Sequence, residues 1–244
     1  MAGYAGFAAF YDAVQGDRAG DAAYARSLLE QYRPEARSVL ELACGTGSIL
    51  ARLRPRYEVV GVDLSEEMLA VARRKLRGVE LVHADMTRVR LGRRFDAVFC
   101  LYDSVNHLLR FAQWEAVFDR AREHLEPDGV FIFDVNTERR LATLAAAPPA
   151  VQWLDGSVLL LDVADAGGGV VDWRLRVFEH TGGDRYRLHD STIPERSFPL
   201  ERIRESLARR FRRVRVLDPL RTRPTARSGR LWFACSGPLP RRVP

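Results

Sequence analysis

Lysine is almost missing from this chain: among 38 basic residues Lys75 is the lone lysine, and all the others are arginine. The arginines are scattered, often in pairs such as Arg73-Arg74, Arg139-Arg140, Arg209-Arg210 and Arg212-Arg213, and do not form one block. A formal net charge of +6 ordinarily raises the question of a nucleic-acid partner. Dispersed arginine with no basic tract reads instead as solvated helix faces under a coding bias, and no nucleic acid is expected. Cysteine is scarce too. Cys44, Cys100 and Cys235 are odd in number, far apart and set in apolar runs, which speaks against a disulfide frame and for reduced, buried thiols. Five histidines (83, 107, 124, 180 and 189) show no tight ligand spacing, so no metal is expected. No apolar run approaches the roughly 18 residues of a membrane span, and Met1-Ala2-Gly3-Tyr4 does not begin a basic region followed by an apolar one. The expected location is the cytoplasm, with no membrane partner.

What is present is enough apolar residue, 47% over 244 positions, to bury one full core. Tyr4, Phe7, Tyr11 and Val14 recur at helical spacing and predict a short amphipathic helix over 4–14. A second helix runs from about Asp21 to Tyr32 and stops before Pro34. Strands then alternate with helices: strands near 38–43, 58–63, 79–83, 95–101 and 129–134, helices near 47–54, 65–77 and 111–125. Ser65 is a fitting N-cap for the second of these helices, with Glu66 and Glu67 in its first turn. Such alternation specifies right-handed crossovers and a parallel sheet covered on both faces, a doubly wound α/β fold.

Around Pro148-Pro149 the rhythm breaks. Val158 to Val163, Val170 to Phe178 and Tyr186 to Thr192 read as an antiparallel meander turned at glycine clusters. A helix over 199–210 and strands Val214 to Leu217 and Leu231 to Cys235 then return to the main sheet. The expected organisation is an N-terminal helical lid (1–34), a cofactor-binding core (35–148), an antiparallel β insertion capping the substrate side (149–196) and a C-terminal completion of the core sheet (197–244). In the meander, Val171, Trp173, Leu175 and Val177 share one face, while Asp172, Arg174, Arg176 and Phe178 share the other. The second face is a candidate binder of a polar or anionic acceptor, the alternative being a solvated face.

In an open α/β sheet, ligands bind beyond the carboxyl ends of the strands, where the strand order reverses. The chemistry-bearing residues collect there. Gly45 and Gly47 follow the first strand, Asp63 ends the second, Asp85 and Met86 follow the third, Tyr102-Asp103-Ser104-Val105-Asn106-His107 follows the fourth, and Asp134-Val135-Asn136 ends the fifth. Glu41 sits inside the first apolar strand, and a buried acid there requires something positive or hydrogen-bonding to answer it. The glycine turn is not a dinucleotide fingerprint. That motif needs a third glycine three residues after the second, where this chain has Leu50.

The set Glu-Leu-Ala-Cys-Gly-Thr-Gly, Gly-Val-Asp-Leu-Ser, Ala-Asp-Met and Phe-Asp-Ala-Val-Phe-Cys resembles the class I S-adenosylmethionine-dependent methyltransferases over residues 38 to 136. The aromatic N-terminal segment and Ser104-Val105-Asn106-His107-Leu108 are similar to the glycine and aminosugar N-methyltransferase branch. This resemblance implies a Rossmann-like seven-stranded sheet with helices on both faces and an antiparallel β insertion before the last helix and two strands. It also implies S-adenosyl-L-methionine as cofactor and S-adenosyl-L-homocysteine as product. Asp63 then takes the ribose hydroxyls, Asp85 the adenine amino group, and Met86 packs on the ring. The Gly45–Gly47 turn, with Ala43 and Cys44, passes the methionine portion, and Glu41 acts at its amino-acid end. Backbone carbonyls near Cys100 and Leu101 receive the amino group, while Leu64, Met68 and Tyr11 complete the cofactor set.

Methyl transfer needs a lone pair on the acceptor, so a base is sought, and His107 is the candidate. Tyr4, Asp103, Asn106, Arg174 and Arg176 are the candidate acceptor-binding residues. The expected activity is methyl transfer by in-line displacement to a small-molecule acceptor, with nitrogen slightly favoured over oxygen. The alternatives are an RNA or protein methyltransferase and a regulator that binds S-adenosylmethionine without turnover. A monomer or homodimer is expected, since exposed meander edges offer a pairing surface.

Overall fold

The computed structural model describes residues 7–17 and 19–240. Tyr4 lies outside them. Two helices, α1 (Ala8–Gln15) and α2 (Ala19–Tyr32), precede the alternating region. There β1 (Ser38–Leu42), α3 (Ser48–Leu53), β2 (Glu58–Asp63), α4 (Glu66–Lys75), β3 (Glu80–His83), β4 (Phe95–Cys100), α5 (Phe111–Glu123) and β5 (Leu125–Asn136) follow one another. A single 3-10 turn, Ser104–His107, sits between β4 and α5. Then come α6 (Glu138–Ala145), the strands β6 (Ala150–Leu154), β7 (Ser157–Gly167), β8 (Val170–Gly182) and β9 (Arg185–Arg196), helix α7 (Leu200–Ala208), and β10 (Phe211–Leu217) and β11 (Arg230–Pro238).

The main sheet has the order β10-β11-β5-β4-β1-β2-β3. Strands β1 to β5 are parallel, and β11 runs antiparallel to both β5 and β10. Strand order therefore reverses beside β1, which pairs β2 on one side and β4 on the other. Both faces are buried, which is why these strands read as unbroken apolar runs. Trp114 and Phe118 of α5 and Ile203 and Leu207 of α7 pack on one face; Leu28 and Leu29 of α2, Leu50 of α3 and Leu69 of α4 pack on the other. Ser65 caps α4, its Oγ accepting the Met68 N–H at 3.2 Å.

The insertion is a four-stranded antiparallel sheet, one strand more than the alternation predicts. The extra strand, β6, is an exposed edge and so carries no inside-outside pattern. Helix α6, also unforeseen, begins at Thr137, whose Oγ1 accepts the Arg140 N–H. Leu159, Leu175, Val177 and Ile193 turn inward and pack against Phe7 and its neighbours on α1.

Helix α1 is thus held between the insertion and the core, and it is latched by one side chain. Asp12 Oδ1 accepts from Thr46 Oγ1 at 2.6 Å and Ser48 Oγ at 3.0 Å, and Oδ2 accepts from Lys75 Nζ at 2.7 Å. Partial burial raises the Asp12 carboxyl, but these three donors outweigh it and hold it below its ordinary value of 3.8. A carboxylate so depressed contributes its stabilisation above 3.8 and loses it as pH falls through the lower folded value. Hydrogen exchange should therefore show α1 amides losing protection on acidification below pH 3.8, while β1 and β4 keep theirs. Asp12→Ala should give the same loss near neutral pH, and equal protection in variant and parent would dismiss the latch.

Candidate active site

The strand tips converge on one cavity of about 930 Å³, reached by the turns after β1, β2, β3 and β4 and roofed by α1 and the insertion. Gly47 takes φ +73° where the turn enters α3, and a Cβ there would press on Leu76 and Ala72, so the bare backbone lets the turn pack on α4. Gly45, at φ +53°, has open space where a Cβ would project and lines the cavity with bare backbone. Asp63 ties this turn to the next: Oδ2 accepts the Gly45 N–H at 2.7 Å and Oδ1 the Ser65 N–H at 2.8 Å. Burial raises the Asp63 carboxyl, against the lowering effect of those N–H donors. Asp85 is fixed by Thr87, whose backbone N–H and Oγ1 both donate to Oδ1 at 2.7 Å.

Glu41 sits where the sequence places it, inside β1. It is 2% exposed, yet no cation meets it, and its Oε2 has no hydrogen-bond partner among the described residues. Burial and the nearby Asp63 charge push its carboxyl well up. The sites of Cys44 and Cys100 are likewise buried, and both thiols are pushed well up, as suits packing.

The opposite wall is built on a strained turn. Tyr102 and Asp103 both adopt left-handed backbone, φ +57° and +49°, at a cost of about 1–3 kcal/mol each. Asp134, fully buried at the end of β5, holds this geometry by accepting the Tyr102 N–H at 2.8 Å and the Asp103 N–H at 3.0 Å. Arg230 in turn binds Asp134, with Nε 2.7 Å from Oδ2. Burial pulls the Asp134 carboxyl upward, opposed by this guanidinium.

Asp103, His107, Asn136, Trp173 and Glu195 face the cavity together. Asn136 Nδ2 donates to Asp103 Oδ2 at 2.8 Å and to Glu195 Oε2 at 3.3 Å. The His107 Nδ1 lies 3.9 Å from Glu195 Oε1, and the ring bonds the Pro194 carbonyl. Burial lowers the His107 pKa from its ordinary 6.5, against the raising effects of Asp103, the Pro194 bond and Asp63. The imidazole is neutral at pH 7, and the nitrogen not donating to Pro194 carries a lone pair.

Of the predicted residues, Tyr11, Ala43, Gly45, Asp63, Leu64, Met68, Asp85, Met86, Asp103 and His107 line the cavity, and Glu41 and Cys44 flank the glycine turn beside it. Gly47, Cys100 and Leu101 do not; the last two side chains are packed in the core. Asn106 is a structural splice: Nδ2 donates to the Asn136 and Arg196 carbonyls at 3.0 Å, and Oδ1 accepts the Asn136 N–H at 3.1 Å. Its amide is committed to joining turn, β5 and β9, so it is not an acceptor ligand. Arg174 and Arg176 point away from the cavity and pair across strands with Asp162 at 3.7 Å and Asp190 at 3.3 Å. The cavity takes the other face of β8, with Trp173 and Leu175, because that apolar face is the one buried. Glu195 and Arg230 went unnoticed in the sequence, and Asp134 was placed at a strand end without a role. The one signal was Asp134-Val135-Asn136 at a strand end, where function tends to gather.

A family model described as a methyltransferase domain matches residues 39–129. The protein named "Putative methyltransferase YqeM" of Bacillus subtilis (strain 168) is 33% identical over 238 residues, covering 94% of this chain and 95% of that one. The dTDP-3-amino-3,6-dideoxy-alpha-D-glucopyranose N,N-dimethyltransferase of Streptomyces fradiae is 40% identical over 140 residues, and that match spans 55% of each chain. Among solved structures, the sugar N-methyltransferase KedS8 from Streptoalloteichus sp ATCC 53650 superimposes with a TM-score of 0.79 at 28% identity, covering 94% of this chain and 92% of that one.

Proposed function

This chain belongs to the class I S-adenosylmethionine-dependent methyltransferases, and we propose that it methylates the amino nitrogen of a small molecule carrying an anionic group. The observation that carries this reading is the single cavity in which the glycine turn and Asp63 stand opposite His107, Asp103 and Glu195. The cofactor is S-adenosylmethionine, and the residues fit it. The orphaned Glu41 oxygen beside the turn suits a cationic amino end, and the bare backbone at Gly45 admits the chain of an amino acid. Asp63, Asp85 and Met86 would hold the nucleoside. When bound, the cofactor supplies a sulfonium-activated methyl group for in-line displacement.

What the chain itself contributes is position and proton handling. Holding the acceptor in a near-attack pose is worth on the order of 7–11 kcal/mol. Neutral His107 takes the proton from the acceptor nitrogen, freeing the lone pair that attacks. Trp173 and Leu175 from the insertion, with Tyr11 from α1, keep water from this end of the cavity. Arg140, Arg221 and Arg227 line the cavity as well and suit an anionic handle on the acceptor. The nucleotide-sugar name of the Streptomyces fradiae relative supports an acceptor of that kind, and its N,N-dimethyltransferase activity supports nitrogen over oxygen.

The test is a methyl-labelled cofactor incubated with the protein and, separately, with small-molecule, RNA and protein fractions of a cell extract. Label should enter a basic small molecule as an acid-stable N-methyl group. Label in RNA or protein, or in an ether or ester, would overturn the acceptor reading.

A further inference from the structure

We propose that Asp103 and Glu195 together form the acceptor's ammonium subsite, a carboxyl pair that holds one proton and one negative charge and selects an amine head over a hydroxyl. This rests on the cavity being the methyl-acceptor site. The two residues come from different parts of the fold, Asp103 from the strained turn after β4 and Glu195 from the end of β9. Asn136 Nδ2 bridges them at 2.8 Å and 3.3 Å, so both carboxyls are held on one amide nitrogen. Two carboxyls held that close in a dry site do not both ionise, so one of them keeps a proton. Burial, then the Asp103 charge, pushes Glu195 well up, in keeping with that shared proton.

The pair is built rigidly. Glu195 is 3% exposed, Asn136 is fixed by Asn106, and the Asp103 backbone is pinned by Asp134. The charged and titratable groups around it are His107 on the 3-10 turn, Asp63 at the end of β2, Asp134 on β5 and Arg230 on β11. Arg230 is already committed to Asp134 at 2.7 Å and to Asp21 at 3.2 Å. Among the described residues no lysine or arginine forms an ion pair with Asp103 or Glu195, so the negative charge of the pair is left for a ligand to meet. An ammonium brings a positive charge and up to three donors, whereas a hydroxyl brings one donor and no charge. His107, 3.9 Å from Glu195, stands beside the captured nitrogen to take its proton.

A one-proton pair has a signature that neither residue alone would give. Removing either carboxyl leaves the other to carry the single charge, so only the double change abolishes it. Calorimetry compares glucosamine 6-phosphate with glucose 6-phosphate, which differ only by amine against hydroxyl at one carbon. The parent protein should bind the amine at least tenfold more tightly. Asp103→Asn and Glu195→Gln should each keep that preference within about threefold, and the double variant should lose it while binding of glucose 6-phosphate stays the same. No preference in the parent, whether both sugars bind equally or neither binds, overturns the subsite. So does a preference that survives the double variant, or one that a single variant removes.

Should the double variant not fold, infrared spectroscopy of the parent and the single variants decides the matter. In parent-minus-variant difference spectra at neutral pH, where the band of the buried Glu41 carboxyl cancels, a protonated-carboxyl band should be lost in each single variant; its absence from either difference spectrum overturns the shared proton. These readouts need no methyl transfer. An ammonium preference with no N-methyl product would count against the proposed activity alone, and an N-methyl product without the carboxyl signature would count against the subsite alone.

Discussion

Replacing His107 by alanine should slow methyl transfer about a hundredfold at pH 7 and leave the affinity for S-adenosylhomocysteine unchanged. A positioned base is worth roughly 10²–10⁴ in rate, and the lower bound applies because water can still accept the proton. The pH dependence separates a base from a wall residue. Burial lowers the His107 pKa below its ordinary 6.5, so the imidazole is neutral through neutral pH and gains a proton only as the solution turns acid. Turnover should therefore hold steady near pH 7 and fall on the acid side, below 6.5. The alanine variant should lack that acid limb, leaving only the titration of the acceptor itself. A rate–pH profile of the same shape in variant and parent would remove His107 from the proton path.

Asp63→Ala acts on the other end of the cavity. Its carboxylate bonds the Gly45 and Ser65 N–H groups, so the substitution frees the glycine turn from the end of β2 as well as removing a cofactor ligand. Hydrogen bonds to a charged group contribute about 1.5–3 kcal/mol each. Losing the equivalent of two at the low end is about 3 kcal/mol, which at about 1.4 kcal/mol per tenfold is a weakening of about a hundredfold. Calorimetry with S-adenosylhomocysteine checks it. Asp63→Asn, which keeps one acceptor oxygen, should fall between parent and alanine, and an affinity unmoved by either change would refute the assignment.

The two predictions divide the site as the fold divides it. Gly45, Asp63 and Asp85 hang on the ends of β1, β2 and β3, and a change there is read in cofactor affinity. Asp103, His107 and Glu195 belong to the wall completed by the insertion, and a change there is read in acceptor binding or rate. Glu41 belongs to the first group because its neighbours are apolar or acidic, so the positive or hydrogen-bonding partner that a buried acid requires has to arrive with the ligand.

Legibility in the sequence tracked how local the cause was. Strands β1 to β4 and helices α3 to α5 fall within a residue or two of their expected bounds, because each is an apolar run or an amphipathic repeat ended by glycine or a cap such as Ser65. The antiparallel insertion was legible through period-two alternation in β7 to β9, whereas the exposed edge β6 had none to show. Arg174 and Arg176 illustrate the limit of that method: alternation told that they share a face but not that the face looks outward. Asn106 shows the same limit for a loop, where a polar residue near the site served to join three segments.

The residue order by itself determined the doubly wound sheet, the glycine turn at its reversal point and the acids at successive strand tips, since period, capping and turn chemistry act over a few neighbours. Only the tertiary structure decided which acids meet. Asp103 with Glu195 and Asp134 with Arg230 are pairs far apart along the chain, brought together because β9 returns over the cavity and β11 inserts beside β5. Contacts of that range leave no periodic trace in the sequence, because they depend on where whole elements pack and not on the spacing within any one of them.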